Sequence, residues 1–146
     1  MEYTKGSIGR VFVVRMDHGD DLLHELENLA RNENIKAAMF VLLGAVKEAS
    51  LVVGPKENKI PPEVQWAGFQ DVHEVLGVGN IFSENGQPKI HLHAAAGRGA
   101  EPKVGCMRGK SEIFMVAEVF ILELTGITAE RIFDASRGFA PVRFSK

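Results

Sequence analysis

The chain has 146 residues, 45% hydrophobic and 25% charged, which suits one globular domain with a real core and excludes a disordered or fibrous protein. Its 17 basic and 19 acidic residues leave a formal charge of −2, so composition offers no general attraction to nucleic acid or anionic lipid. A single cysteine cannot close an internal disulfide, and no stretch reads as a signal peptide or a bilayer span, so a cytoplasmic setting is expected.

In chain order, residues 9–16 (Gly-Arg-Val-Phe-Val-Val-Arg-Met) are rich in β-branched and aromatic side chains and predict a first strand. Gly19 and Asp20-Asp21 then open a helix in which Leu22, Leu23, Leu26, Leu29 and Ala30 recur at spacings of three and four. The early aspartates suit the positive end of the helix, and Arg31 suits the negative one. Residues 37–46 and 49–53 predict two further strands, the second stopped by Gly54-Pro55, and residues 56–62 read as a loop. Residues 72–82 are strand-like but carry Gly77 and Gly79, which predicts a bulge or a bend. Asn85-Gly86 is a hairpin turn signal. Its following arm, residues 89–96, is answered after another turn by a long strand over residues 104–124. Residues 129–135 and 142–144 each predict a closing strand. With no repeat and no linker, residues 1–146 read as one α+β domain built mainly on antiparallel sheet.

The chemistry concentrates in His91-Leu92-His93. Residues two apart on a strand share a face and lie roughly 6.5–7 Å apart, so two imidazoles can lean onto one ion while Leu92 points into the packed face. If the segment 97–102 is a hairpin turn centred between Gly99 and Ala100, Cys106 falls opposite His93 and Arg108 opposite His91. Opposed side chains have Cβ atoms ~4.5–5.5 Å apart. A thiolate and two neutral imidazoles suit zinc or another divalent transition metal, and three protein ligands leave a fourth position open. The competing reading is two surface histidines and a buried small cysteine. Arg108 could orient a small anionic ligand or form a surface ion pair. Glu118, in an otherwise apolar stretch, either faces solvent by alternation or lines the site as a proton acceptor. His73, His18 and His24 have no evident site partners.

These motifs resemble the plants-and-prokaryotes-conserved (PPC) domain, which also forms part of plant AT-hook nuclear proteins. Residues 15–22 (Arg-Met-Asp-His-Gly-Asp-Asp-Leu) are similar to that family's entry to its first helix. Gly44-Ala45-Val46, Glu74-Val75-Leu76 and Gly79-Asn80-Ile81 resemble its next segments. Pro88 to Ala94 resembles its "P-x-x-H-x-H" element, and Gly138-Phe139 its closing pair. Counting back from Ala117-Glu118-Val119 places Cys106, after Gly105, where the family has a further histidine. The resemblance implies a homotrimer of antiparallel sheets flanked by helices. It also implies a fold similar to acetolactate decarboxylase, whose zinc is held by three histidines. Cysteine in the third position departs from that pattern, because a thiolate makes a bound metal a weaker Lewis acid. No AT-hook core is present: Gly97-Arg98-Gly99-Ala100 lacks the second arginine and the proline, so direct nucleic-acid binding is not expected. Three readings stay open at this level: a metal-dependent enzyme using Arg108 and Glu118 on a small anionic substrate, a non-catalytic oligomeric domain, and a DNA-associated regulator.

Overall fold

The structure is a computed structural model that describes residues 1–145. Strand β1 (Ser7–Asp17) leads into helix α1 (Leu22–Asn32), and the rest is strand: β2 (Ala37–Pro55), β3 (Val64–Phe69), β4 (His73–Glu84), β5 (Gln87–Arg98), β6 (Glu101–Thr125), β7 (Ala129–Arg131) and β8 (Val142–Phe144). The helix starts where the paired aspartates predict, because the Asp21 carboxylate accepts from the His24 backbone N–H at 3.2 Å. Leu22, Leu26 and Ala30 are its buried stripe. Its first turn is tied to β6: the Leu23 N–H donates to the Ser111 hydroxyl and the Ser111 N–H to the Asp21 carboxylate.

The antiparallel pairings close a circuit. The first half of β2 lies between β4 and the second half of β6. Beyond Gly44, β2 turns to pair with β3 and with the first half of β6, while β5 joins β4 to that same part of β6. Phe40, Leu42, Ile81, Leu92 and Ile121 fill the inner face, and α1 packs its leucines into the same cluster. A short parallel pairing sets β7 beside the end of β4, and β8 pairs with β7. The sheet is therefore mainly antiparallel, as expected, with one helix among the described residues.

Residues 37–55 form one strand where the sequence predicts two, because register shifts at three places let β2 bend without breaking. The six-residue β3 was not predicted. It is an edge strand with mostly exposed side chains, so it lacks an apolar alternation to announce it. Nor is there a bulge at Gly77 and Gly79: β4 keeps an unbroken register with β2 and β5. The glycines serve close packing instead. A Cβ at Gly79 would meet the Phe40 ring and come within 2.8 Å of the His91 carbonyl oxygen.

Candidate metal centre

Two tight turns fix the site. Asn85 and Gly86 both have positive φ, the primed-turn geometry that joins β4 to β5 and sets Asn80 opposite His91 and Val78 opposite His93. The second turn lies at Gly99-Ala100, between the paired Arg98 and Glu101, and sets Cys106 directly opposite His93. Alternation along β5 then does the sorting. Ile90, Leu92, Ala94 and Ala96 are buried, whereas His91 and His93 face outward, half-buried and exposed respectively.

The His91 and His93 Nε2 atoms converge to 3.2 Å. The candidate donor atoms of His91, His93 and Cys106 all lie within 4.8 Å of one another, and Cys106 is 5% exposed. Two nitrogens at opposite ends of a tetrahedral edge, with metal–nitrogen bonds of 2.0–2.1 Å, are separated by roughly 3.3 Å, so the imidazole pair already fits one small divalent ion. Burial holds the His91 imidazolium down to a pKa of about 4, helped by Arg131, Arg108 and His93, so the ring is neutral, as a metal ligand must be. Burial also pushes the Cys106 thiol up, while Arg108 and Arg131 pull it back. Arginine can only donate, so the 3.3 Å contact from Arg131 Nη2 makes His91 Nδ1 an acceptor and puts the ring proton on Nε2, facing His93.

The β5–β6 ladder ends at His93–Cys106. Past that point β6 veers to β2, so Arg108 pairs with Ser50 rather than with His91 as the hairpin arithmetic predicts. The strands part, and the gap opens as a cleft of about 580 Å³ lined by His91, Arg108, Lys89 and Arg131 together with α1 and Phe139. Arg108 thus reaches the site across the cleft. Glu118 does not reach it: it is exposed, opposite Arg15 and Leu43, and β2 and β4 intervene between its half of β6 and β5. His73 is buried and stacked on Phe69 at 4.0 Å, with Nδ1 against the Asp71 carbonyl oxygen at 2.7 Å; it is a packed residue. His18 accepts from the Met115 N–H at 3.2 Å, away from the cleft, whereas His24 lines the cleft from α1.

The group that sequence reasoning missed is Arg131. It donates to Asn80 Oδ1 at 2.6 Å and to the Ala140 carbonyl at 3.1 Å, besides His91. Burial lowers its pKa, Glu84 opposes that and Arg108 adds to it. No local signal marks it, since the parallel pairing of β7 with β4 brings it in from a distant part of the chain.

Outer-face neighbours form a transverse row: Val13, Phe120, Val41, Val78, His93 and Cys106. Val13 is 71% exposed and Val78 56%, and Leu43, Leu76 and Val104 on the adjacent row are exposed as well. The histidine pair therefore sits at the end of an uncovered apolar stripe.

A sheet of this topology, carrying a His-x-His pair against a cross-strand cysteine, defines a small β-rich domain with a candidate metal centre. The chain belongs to the Plants and Prokaryotes Conserved (PCC) domain family, whose model matches residues 3–125. Among solved structures it is similar to a metal-containing protein from Archaeoglobus fulgidus, at 28% identity over 100% of both chains with a TM-score of 0.86. It is also similar to a plant- and prokaryote-conserved (PPC) protein from Pyrococcus horikoshii, at 26% identity over 100% of this chain and 99% of that one, TM-score 0.86. A candidate DNA-binding protein from Ralstonia eutropha shares the fold at 23% identity, over 91% of this chain and 90% of its own, TM-score 0.77. No sequence among curated proteins matches. No helix among the described residues is long and apolar enough to cross a membrane.

Proposed function

We propose that residues 1–146 act as a single metal-binding domain that holds one divalent transition metal, zinc by preference, on His91, His93 and Cys106. The observation that carries this reading is the convergence of the His91 and His93 Nε2 atoms to 3.2 Å beside the buried thiol. The Archaeoglobus fulgidus protein, metal-containing by name, supports it. Three protein ligands leave a position for water or a small anionic ligand, and a metal there supplies Lewis-acid polarisation or an activated water. The protein's own share is to hold the His91 imidazole neutral, to keep the thiol out of bulk water, and to present Arg108 across the cleft to an anion. The single thiol is suited to the reducing cytoplasm.

The chain acts as a homotrimer in this reading, with the stripe through Val13, Val41 and Val78 covered by neighbouring copies. Elemental analysis of protein purified without chelator or added metal tests the metal: about one equivalent per chain is expected, and none in His93→Ala. Absence of zinc, nickel, cobalt, iron and copper alike from the wild-type protein would refute the site. A closed fourth position filled by the protein would instead favour a non-catalytic assembly domain.

A second reading, a DNA-associated regulator, draws on the name of the Ralstonia protein. The charge arrangement speaks against it. In the densest basic stretch, residues 98–110, Arg98 is paired with Asp71 and Lys110 with Glu48 and Glu112, which leaves Lys103 and the cleft residue Arg108, and Arg10 elsewhere is held by Glu33 and Glu123. We expect duplex DNA to bind no tighter than ~10⁻⁶ M at physiological salt; nanomolar, sequence-dependent binding in an anisotropy titration would reverse the ranking.

A further inference from the structure

Arg108 and Arg131 share one property that sets them apart. Of the eight arginines, they and the exposed Arg31 have no carboxylate within ion-pair distance among the described residues. Arg31 is solvated and bonded to Asn28 and Gln87. The other two line a single cleft beside His91. Arg131 is moreover held there at a cost. Its Nε–H is buried with no partner, an arrangement that native folds seldom tolerate without a function for the group. Two half-shielded guanidiniums face the same space, and although Asp21, Glu27 and Glu84 line it too, Asp21 is bonded to the His24 and Ser111 N–H groups, Glu27 pairs with Lys89, and none of the three lies within ion-pair distance of either arginine.

We propose that Arg108 and Arg131 form a carboxylate seat in this cleft, and that the ligand of the site is a small organic acid whose far end points toward His91. The proposal deepens the metal reading above and rests on it for what the far end meets; the seat itself is made of the two arginines. The mixed lining selects the class. Leu23, Ile90, Met107 and Phe139 give the cleft apolar walls beside its cations, which suits a carboxylate on a short carbon chain better than inorganic phosphate. Guanidinium forks match carboxylates bidentately. Arg131 comes from the β7–β8 segment, beyond the residues 3–125 that the family model matches, so the segment after residue 125 completes the seat. The hydrogen bonds also link the two sites. A metal held by His91 Nε2 would require the ring proton on Nδ1, which could then no longer accept from Arg131, so an Nη2 N–H would be free for the acid.

Titration calorimetry of the full chain with succinate, on metal-loaded and chelator-treated protein, tests this. Succinate should bind saturably, with a Kd of about 1 mM or tighter on loaded protein. Arg131→Gln and Arg108→Gln should each weaken it roughly tenfold or more, as expected for loss of a charge-assisted bond. Arg131→Lys keeps the charge without the fork and should fall between, and Arg98→Gln, outside the cleft, should bind like wild type. No succinate binding, binding indifferent to both arginines, or phosphate binding as tightly as succinate would each overturn the proposal. Metal content separates the two ideas. A metal-bound protein that ignores succinate removes the seat alone, and arginine-dependent succinate binding by a protein that takes up no metal removes the metal site alone.

Discussion

The two faces of β5 present opposite problems to the same twelve-residue strand. Inward, Ile90, Leu92, Ala94 and Ala96 are sealed against Phe40, Leu42 and the helix. Outward, His91, half-buried beside Arg131, and the exposed His93 stand at the end of an apolar stripe. The inner face is where stability resides, and the outer one carries the candidate metal centre. A period of two is enough to keep them apart, so substitutions on one face should leave the other's property nearly untouched.

The largest break should come from Leu92→Ala. Leu92 is fully buried, and such truncations cost ~2–5 kcal/mol. Urea denaturation should show that loss, with metal stoichiometry intact in whatever fraction stays folded. Gly79→Ala is the change that violates the separation. Its methyl would push on Phe40 within the core and on the His91 carbonyl at once, so stability should fall by about 1–3 kcal/mol and metal affinity should fall with it. If affinity is unaffected, the strand does not transmit the strain.

His93→Ala should do the reverse of Leu92→Ala. The exposed ring contributes little packing, so unfolding of the metal-free protein should shift by no more than about 0.5 kcal/mol while bound metal disappears. Leu76→Glu and Val78→Glu, on the outer stripe, should leave the monomer fold intact and dissociate the proposed trimer in light scattering. An unchanged mass would mean that the stripe is not the interface.

A further effect is a pH dependence of the metal-free protein. His91 has its pKa lowered to about 4 in the folded chain, against about 6.5 in an unfolded one. Between those values the unfolded state binds more protons, so stability should decline as pH falls from about 6.5 toward 4. His91→Ala should flatten that window. A wild-type profile already flat there would mean that the ring is less shielded than the geometry indicates.

Much of the candidate site was legible because it is local. The His-x-His pair needs only strand alternation, and the Cys106–His93 pairing needs only the two-residue turn at Gly99-Ala100. The helix was equally plain, since its leucine spacing and its Asp21 cap both lie within a few residues of one another. What failed did so where pairing is long-range. The same hairpin arithmetic that placed Cys106 misplaced Arg108 two residues later, because β6 leaves β5 to follow β2.

The sequence by itself determined the outward histidines, the cross-strand cysteine and the buried face behind them, since each follows from backbone geometry over short stretches of chain. Only the tertiary structure decided that Glu118 lies across the sheet, that Arg108 reaches the site over a cleft, and that Arg131 arrives from β7. The reason is physical. Each bulge shifts a register by a residue, and nothing in composition marks where a long strand will bend or which distant segment will pair with its edge.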